Sequence, residues 1–221
     1  METERRLDPA EEALLAGMGR GPDGRPTDVA SGRGAPGWIA RSLRFCSACG
    51  APLAVATPPE DHRERHCCAA CGHIAYVNPR LVVTTLPVND RGEVMLILRG
   101  IEPGYGLWAQ PGGFLEIDET VFEAAVRETL EETGLLVQPG ELVGIYSRLE
   151  AAVVTLMFEA QVVGGAPRVT PEAIEVRAFA PAEIPWELIA FKTSWWAIRD
   201  WVASRHPGVT LPERFLRTET I

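Results

Sequence analysis

The spacing of apolar and polar residues predicts a domain of strands and helices in the second two thirds of the chain. Two apolar runs, 81–88 and 93–98, flank a turn at 89–92 and predict a β-hairpin. A loop rich in glycine and proline is predicted at 100–113. Three later segments with the pattern of strands lie at 142–149, 153–163 and 174–179.

Two segments of this domain have helical character. The first begins at Asp118 or Glu119, because acidic residues favour the first turn, and stops at Gly134. The second, at 194–204, carries one apolar stripe made of Trp195, Ile198, Trp201 and Val202. Such a stripe is core or a dimer contact. A short helix or turn is expected at 185–191. Strands on both sides of a helix, with another helix at the end, predict an α/β fold with a mixed sheet between helices.

The first helix carries a group of glutamates on one side. At about 100° per residue, Glu128, Glu131 and Glu132 share this side. The opposite arc, expected to pack on the sheet, contains Phe122, Val126, Thr129 and Leu130. Like charges four residues apart cost about 0.2–0.5 kcal/mol without a partner, and a hard cation such as Mg²⁺ removes that cost. From helix physics alone, a solvated charged face and a metal site both stay open.

The spacing of the charged and glycine positions decides between them. Gly113 is followed after five residues by Glu119, after seven more by Arg127-Glu128, after two by Glu131-Glu132, and after one by Gly134-Leu135. This pattern resembles the Nudix box. It departs from the family at Thr129, where an aliphatic residue is usual, and at Ile117-Asp118, where many members have a glycine.

The resemblance implies a Nudix α/β/α sandwich and a hydrolase of nucleoside diphosphate-linked substrates that uses Mg²⁺ or Mn²⁺. By resemblance, Glu128 and Glu132 are metal ligands, and Glu131 is a ligand or the base. Arg127 orients a glutamate, and Glu119 holds the loop or a second metal. The remaining positions singled out are the Gly112 carbonyl as a metal ligand and Arg99, Trp108, Gly112 and Gly113 as substrate-binding residues. Glu172 is a second candidate base, against the simpler interpretation of an exposed loop acid.

A second motif precedes this domain. Cys46 and Cys49 are separated by two residues, and Cys68 and Cys71 follow with the same spacing after eighteen residues. The pattern matches a four-cysteine zinc ribbon whose filled coordination makes the zinc structural. Disulfides are the alternative, and the odd number of cysteines argues against them. Cys67 is an alternative ligand to Cys68, although the two-residue spacing favours Cys68. Three histidines are expected to be solvated or hydrogen-bonded: His62, His66 and His73.

The composition of the chain argues against some classes of binding partner. The net charge of −9 argues against a broad nucleic-acid or membrane surface. No apolar run reaches 18 residues and no secretory signal is evident, so we expect a cytoplasmic protein. The predicted organisation is a flexible extension at 1–44, a zinc ribbon at 45–76, a Nudix domain at 77–206 and a tail at 207–221. Within the extension, 9–18 suits a short helix, and Trp38-Ile39 would anchor it if it docks.

Only resemblance to branches of the Nudix family narrows the choice of substrate. The Ser-Gln-Pro-Trp motif of NADH pyrophosphatases is absent after the box. The ribbon, Gly106-Leu107-Trp108 and the stretch from Pro171-Glu172 to Ala190-Phe191 are most similar to plant-type FAD and ADP-ribose hydrolases. We therefore expect a dinucleotide or nucleotide sugar such as FAD or ADP-ribose, ahead of NADH. The alternative is a non-catalytic nucleotide sensor whose ribbon contacts nucleic acid or protein.

Overall fold

A computed structural model describes residues 42–59 and 61–212. The expected helix at 9–18, the docking segment Trp38-Ile39 and most of the tail lie outside these residues. The chain separates into two compact units, with the boundary between Asn78 and Pro79.

The smaller unit is a three-stranded antiparallel sheet with almost no interior. Its strands, in the order β1-β2-β3, are β1 Leu53–Ala56, β2 Arg65–Cys68 and β3 Ile74–Ala75. Among its described residues only Cys46 and Cys68 are buried. A unit of this size cannot stabilise itself by apolar burial, so its order depends on the cysteines.

The larger unit is a mixed sheet between two helices, as predicted. Its strands are β4 Arg80–Val88, β5 Val94–Arg99, β6 Trp108–Ala109, β7 Gly112–Phe114, β8 Leu135–Arg148, β9 Val153–Gly165 and β10 Ala173–Phe179. Its helices are α1 Val121–Thr133 and α2 Lys192–Arg205, with 3-10 turns at Leu149–Ala151, Pro181–Glu183 and Trp186–Leu188. The main strand order is β10-β5-β4-β9-β8, and only the β4–β9 pair is parallel.

The predicted hairpin of β4 and β5 is paired only beside its turn. The two strands share the single residue pair Val88 and Val94. Farther from the turn, β6 pairs with β5, and β7 pairs with β4. The glycine content suggested that the whole segment 100–113 is a loop. It is not, because β6 and the first part of β7 join the sheet. This insertion places Gly112 and Gly113 beside α1.

The alternation of side chains on each strand separates the two helical layers. Val83 packs with Ala124 and Ala125 of α1, whereas Leu86 belongs to the cluster that includes α2. The apolar stripe of α2 is fully inside this cluster, with Trp195, Ile198, Trp201 and Val202 all buried. The stripe is core, so the idea that it offers a dimer surface is wrong.

The buried face of α1 differs from the predicted one. The helix begins after Thr120, whose side chain forms a capping box with Glu123, so the start at Asp118 or Glu119 is wrong by one or two residues. Gly134 ends it in the left-handed conformation, as predicted. The buried residues are Ala124, Ala125, Thr129, Glu132 and Thr133, whereas Phe122 and Leu130 are exposed. Small side chains, rather than the most apolar ones, face the sheet because they let the backbones approach closely.

Thr129 is the one member of the predicted arc that is completely buried. Its hydroxyl lies 2.6 Å from that of Thr85 on β4 and donates to the Ala125 carbonyl at 2.7 Å. Since that proton is used, Thr85 is the donor of the shared hydrogen bond. The departure from the aliphatic residue of the family is thus matched by a polar partner on the sheet.

Candidate active site and metal centres

Three of the box glutamates meet at a cavity of about 570 Å³. The cavity lies where α1, β7 and the loop before β10 come together. Its lining residues are Gly112, Gly113, Phe114, Glu116, Glu128, Glu131, Glu132, Thr170, Pro171 and Glu172. The structure therefore brings Glu128, Glu131 and Glu132 together with the glycine pair, although these residues lie on different elements.

Glu132 is the most buried acid of the cavity, with 6% of its surface exposed. Burial raises its pKa to about 7, and the neighbouring Glu128 and Glu172 act in the same direction. The Gly112 N–H opposes this shift by donating to the Glu132 Oε2 atom at 2.8 Å. A buried carboxylate with a single hydrogen bond has oxygen lone pairs available to a cation.

Glu128 approaches the backbone of β7 very closely. A Cβ atom on Gly113 would overlap with the Glu128 carboxylate in its present position. Burial raises the pKa of Glu128, and the Arg127 guanidinium, 2.8 Å away, partly offsets the shift. The glycine at 113 thus explains how a carboxylate reaches the cavity wall.

Arg127 links the acids behind the cavity. It donates to Glu119 through Nε at 2.8 Å, to Glu128 at 2.8 Å, and to Glu131 at 3.3 Å. The contact between Arg127 and Glu119 lowers the pKa of Glu119 to about 2 and raises that of Arg127. Glu119 also accepts the Glu116 N–H at 2.9 Å. Glu119 is therefore tied to the loop rather than exposed in the cavity, which is the geometry expected of a loop-holding residue.

The loop before β10 brings a further acid to the cavity. The Glu172 carbonyl accepts the Gly100 N–H at 2.8 Å, and Thr170 exchanges hydrogen bonds with Ala173 at 2.9 and 3.0 Å. These contacts fix Glu172 opposite α1. Glu116 also lines the cavity. Its position within the box, three residues before Glu119, was the only sequence signal for it.

The four cysteines of the smaller unit form a compact cluster. The Sγ atoms of Cys46, Cys49, Cys68 and Cys71 all lie within 4.8 Å of one another. The turns after Cys49 and Cys71 use glycines at φ 75°, which donate to the carbonyls of Cys46 and Cys68. The pKa of Cys68 is lowered to about 7 by the Cys71 backbone N–H. Four thiols at this spacing fit tetrahedral zinc.

Cys67 and the histidines are not part of this cluster. The Cys67 thiol lies against the carbonyls of Ala56 and Arg65, at 3.8 and 3.7 Å. The cluster contains Cys68 instead, in agreement with the two-residue spacing. No histidine of the described residues belongs to it either.

Comparison with known proteins now decides the family. The NUDIX domain model matches residues 78–202, which is more than half of the chain. The Nudix N-terminal zinc-ribbon model matches residues 44–77. The chain belongs to the Nudix family. This membership confirms the predicted class of enzyme, a hydrolase that acts on pyrophosphate bonds.

Individual Nudix relatives are similar over different parts of their length. An ADP-ribose pyrophosphatase of Methanocaldococcus jannaschii is 36% identical over 114 residues, which cover 50% of this chain and 67% of that protein. An NAD-capped RNA hydrolase NudC of Chromobacterium violaceum is 37% identical over 97 residues, or 44% of this chain and 34% of that protein. The chain thus spans only about a third of this second relative. A NUDIX hydrolase structure from Nitrosomonas europaea superposes with a TM-score of 0.69 at 36% identity, covering 76% of this chain and 94% of that one.

Two of the predicted substrate-binding residues lie outside the Nudix cavity. Trp108 is buried in the core, with its ring 4.8 Å from that of Phe179, so a direct contact with substrate is not supported. Its place after a glycine-rich loop suggested exposure, but it belongs to β6. Arg99 does not line the cavity either, and its guanidinium stacks on Phe191.

No helix of the described residues is long and apolar enough to span a membrane.

Proposed function

We propose that this Nudix hydrolase uses Mg²⁺ or Mn²⁺ to cleave the pyrophosphate of a nucleoside diphosphate-linked substrate such as FAD or ADP-ribose, ahead of NADH. The observation that carries the proposal is the meeting of Glu128, Glu131 and Glu132 with Gly112 at one cavity. A divalent cation there would neutralise the charge that develops on the phosphate oxygens and activate a water molecule.

In this proposal the role of each acidic side chain follows from its burial. Glu132 and Glu128, which are buried or half-buried, hold metal together with the Gly112 carbonyl. Glu131, more than half exposed, is a metal ligand or accepts the proton of the attacking water. Arg127 and Glu119 keep these carboxylates oriented through the contacts described above. Glu172, opposite α1, is the second candidate for the base.

The choice of substrate rests on similarity. ADP-ribose is supported by the name of the relative from Methanocaldococcus jannaschii. The NudC relative is compatible with a nicotinamide dinucleotide, but the Ser-Gln-Pro-Trp motif is absent from this chain. FAD and ADP-ribose therefore stay ahead of NADH.

The activity is tested on a dinucleotide panel of FAD, ADP-ribose and NADH, with release of AMP as the readout. We expect turnover only with Mg²⁺ or Mn²⁺, and a loss of about 10²–10⁴-fold in Glu131→Gln if this residue is the base. Glu141→Gln is a suitable control because Glu141 is an exposed acid paired with Arg205. Binding without turnover of any substrate would favour the nucleotide sensor.

We also propose that Cys46, Cys49, Cys68 and Cys71 hold a structural Zn²⁺. Their cluster and the lack of other buried side chains among the described residues of the smaller unit support this. Zinc ligation needs reduced thiols, which supports the proposed cytoplasmic location. Elemental analysis of protein purified without chelators should find one zinc per chain, and its absence would contradict the proposal.

A further inference from the structure

A group of positive and aromatic side chains lies near the carboxylate cavity but outside it. The guanidinium carbons of Arg99 and Arg148 lie 5.0 and 6.0 Å from the ring centre of Phe191. We call these three residues the arginine platform. All three residues are half-buried.

Arg99 is held in place with part of its hydrogen-bonding capacity unused. Its Nε donates to the Pro103 carbonyl at 2.9 Å, and its plane is supported by Phe191. Within residues 42–59 and 61–212, neither an ion pair nor another hydrogen bond engages its terminal amino groups. Its fixed fork suits a phosphate, which accepts two parallel hydrogen bonds.

The platform draws on both sides of the sheet: Arg99 extends on the side of the α1 carboxylates, whereas Arg148 shares the β8 face of Tyr146, which packs with α2, and Phe191 directly precedes α2. Leu96 and Leu98 pack towards α2, whereas Ile97 packs on the other face with Ala173. By alternation, the Arg99 side chain also leaves β5 away from α2. Arg99 pairs with Ala173 across the strands, directly after the Glu172 of the cavity wall. Its charge also lowers the pKa of Glu132, in agreement with this proximity.

We propose that the arginine platform binds a phosphate group of the substrate that lies beyond the scissile pyrophosphate. This inference rests on the proposed metal-dependent hydrolysis and extends its range of substrates. Nucleotides with a third phosphate would gain a contact that FAD and ADP-ribose lack, because both phosphates of those substrates are used at the cavity. The third phosphate has two chemical sources: a monoester on a ribose, or the phosphodiester of a nucleic-acid chain that carries a dinucleotide cap.

The test compares substrates that differ by one phosphate. The pairs are NAD⁺ and NADP⁺, dephospho-coenzyme A and coenzyme A, and free NAD⁺ and an NAD-capped short oligoribonucleotide. Values of kcat/KM with Mg²⁺ are measured for the wild type, Arg99→Ala and Arg148→Ala. Arg177→Ala is the matched control, because Arg177 stacks at 5.1 Å on Trp108, which belongs to the α2 side of the sheet.

We expect the wild type to prefer the member with the additional phosphate in at least one pair, by about tenfold or more. Arg99→Ala should remove this preference, whereas Arg177→Ala should retain it. Preference in the first two pairs indicates a monoester, and preference in the third alone indicates a phosphodiester. No preference in any pair, or an equal loss for both members in Arg99→Ala, would overturn the inference while leaving the proposed function intact.

A binding measurement keeps the test independent of catalysis. Adenosine 3′,5′-bisphosphate should bind about tenfold or more tightly than AMP in calorimetry, and Arg99→Ala should abolish the difference. If no substrate is cleaved but this difference is found, the proposed function fails and the phosphate site stands. Equal binding of the two nucleotides to the wild type would count against the site itself.

Discussion

In the four-cysteine unit the only buried side chains among the described residues are Cys46 and Cys68, whereas the Nudix unit buries a large apolar cluster that includes Leu86, Met157 and Trp201. With so little buried surface, the first unit is expected to need its proposed zinc for its fold. The second unit already has a core. On the proposed function, the chain would use metal ligands in two ways: cysteines in place of a core, and glutamates supported by one.

The largest expected effect is the loss of the cysteine cluster. Cys68→Ser should lose its zinc and with it an apparent stabilisation of about 10–16 kcal/mol in the smaller unit. Hydrogen exchange should then become fast across 42–78 and remain slow in the sheet of 79–212. Cys67→Ser is the matched control, because its thiol is outside the cluster. Protection retained at 42–78 without zinc would show that the two units do not differ in this way.

The acids of the Nudix unit should have the opposite effect on stability. Without metal, a buried carboxylate should lower the stability of the fold. The folded-state pKa of Glu132 is raised to about 7, so its effect on stability is absent below its ordinary pKa. As the pH rises from about 4.5 to about 7, the unfolded state ionises while Glu132 in the folded state stays protonated, so stability is lost over this window and the loss is complete above 7. Glu132→Gln should therefore be more stable than the wild type at pH 8, by at most about 3 kcal/mol, and similar at pH 4.

This difference is measured by urea unfolding of zinc-loaded protein without Mg²⁺. Tryptophan fluorescence is a suitable signal, because five of the six tryptophans lie in the larger unit. Adding Mg²⁺ at pH 8 should stabilise the wild type and have little effect on Glu132→Gln. The same pH dependence in both proteins would contradict the assigned burial cost.

The two regions also differ in how far the sequence alone describes them. The cysteine spacing predicted which four thiols lie together, because a turn of fixed length sets the geometry of each pair. The box spacing likewise brought Glu128, Glu131 and Glu132 to one place. In local patterns of this kind, the spacing along the chain sets most of the arrangement of the side chains.

What the sequence did not reveal depends on contacts between distant elements. The pairing of β6 and β7 with β5 and β4 buried Trp108, which the local composition placed in a loop. The buried face of α1 was predicted wrongly because small residues, not apolar ones, allow the helix to approach the sheet. Glu172 reaches the cavity through the Gly100 contact, and no nearby residue indicates that pairing.

Gly113→Ala tests the close approach of the helix to β7. The added methyl group would overlap with the Glu128 carboxylate, so the side chain must leave its position. We expect the apparent Mg²⁺ affinity to fall about 10–100-fold, as for other changes that disturb the orientation of a ligand. Gly208→Ala is the control, since no atom lies within 4 Å of its added Cβ. Equal Mg²⁺ dependence of both variants would show that Glu128 does not depend on this glycine.

The smallest expected effect concerns the polar pair that replaces the usual aliphatic contact behind the acids. In Thr129→Val, the buried Thr85 hydroxyl loses its acceptor, and the unfolding free energy should fall by about 1–3 kcal/mol. Thr85→Val should cost less, because Thr129 keeps its bond to the Ala125 carbonyl. The double variant restores an apolar contact of similar shape, so it should be more stable than the sum of the single variants predicts. Additive losses would mean that the two hydroxyls are not coupled, and that Thr129 needs another explanation than its partner on the sheet.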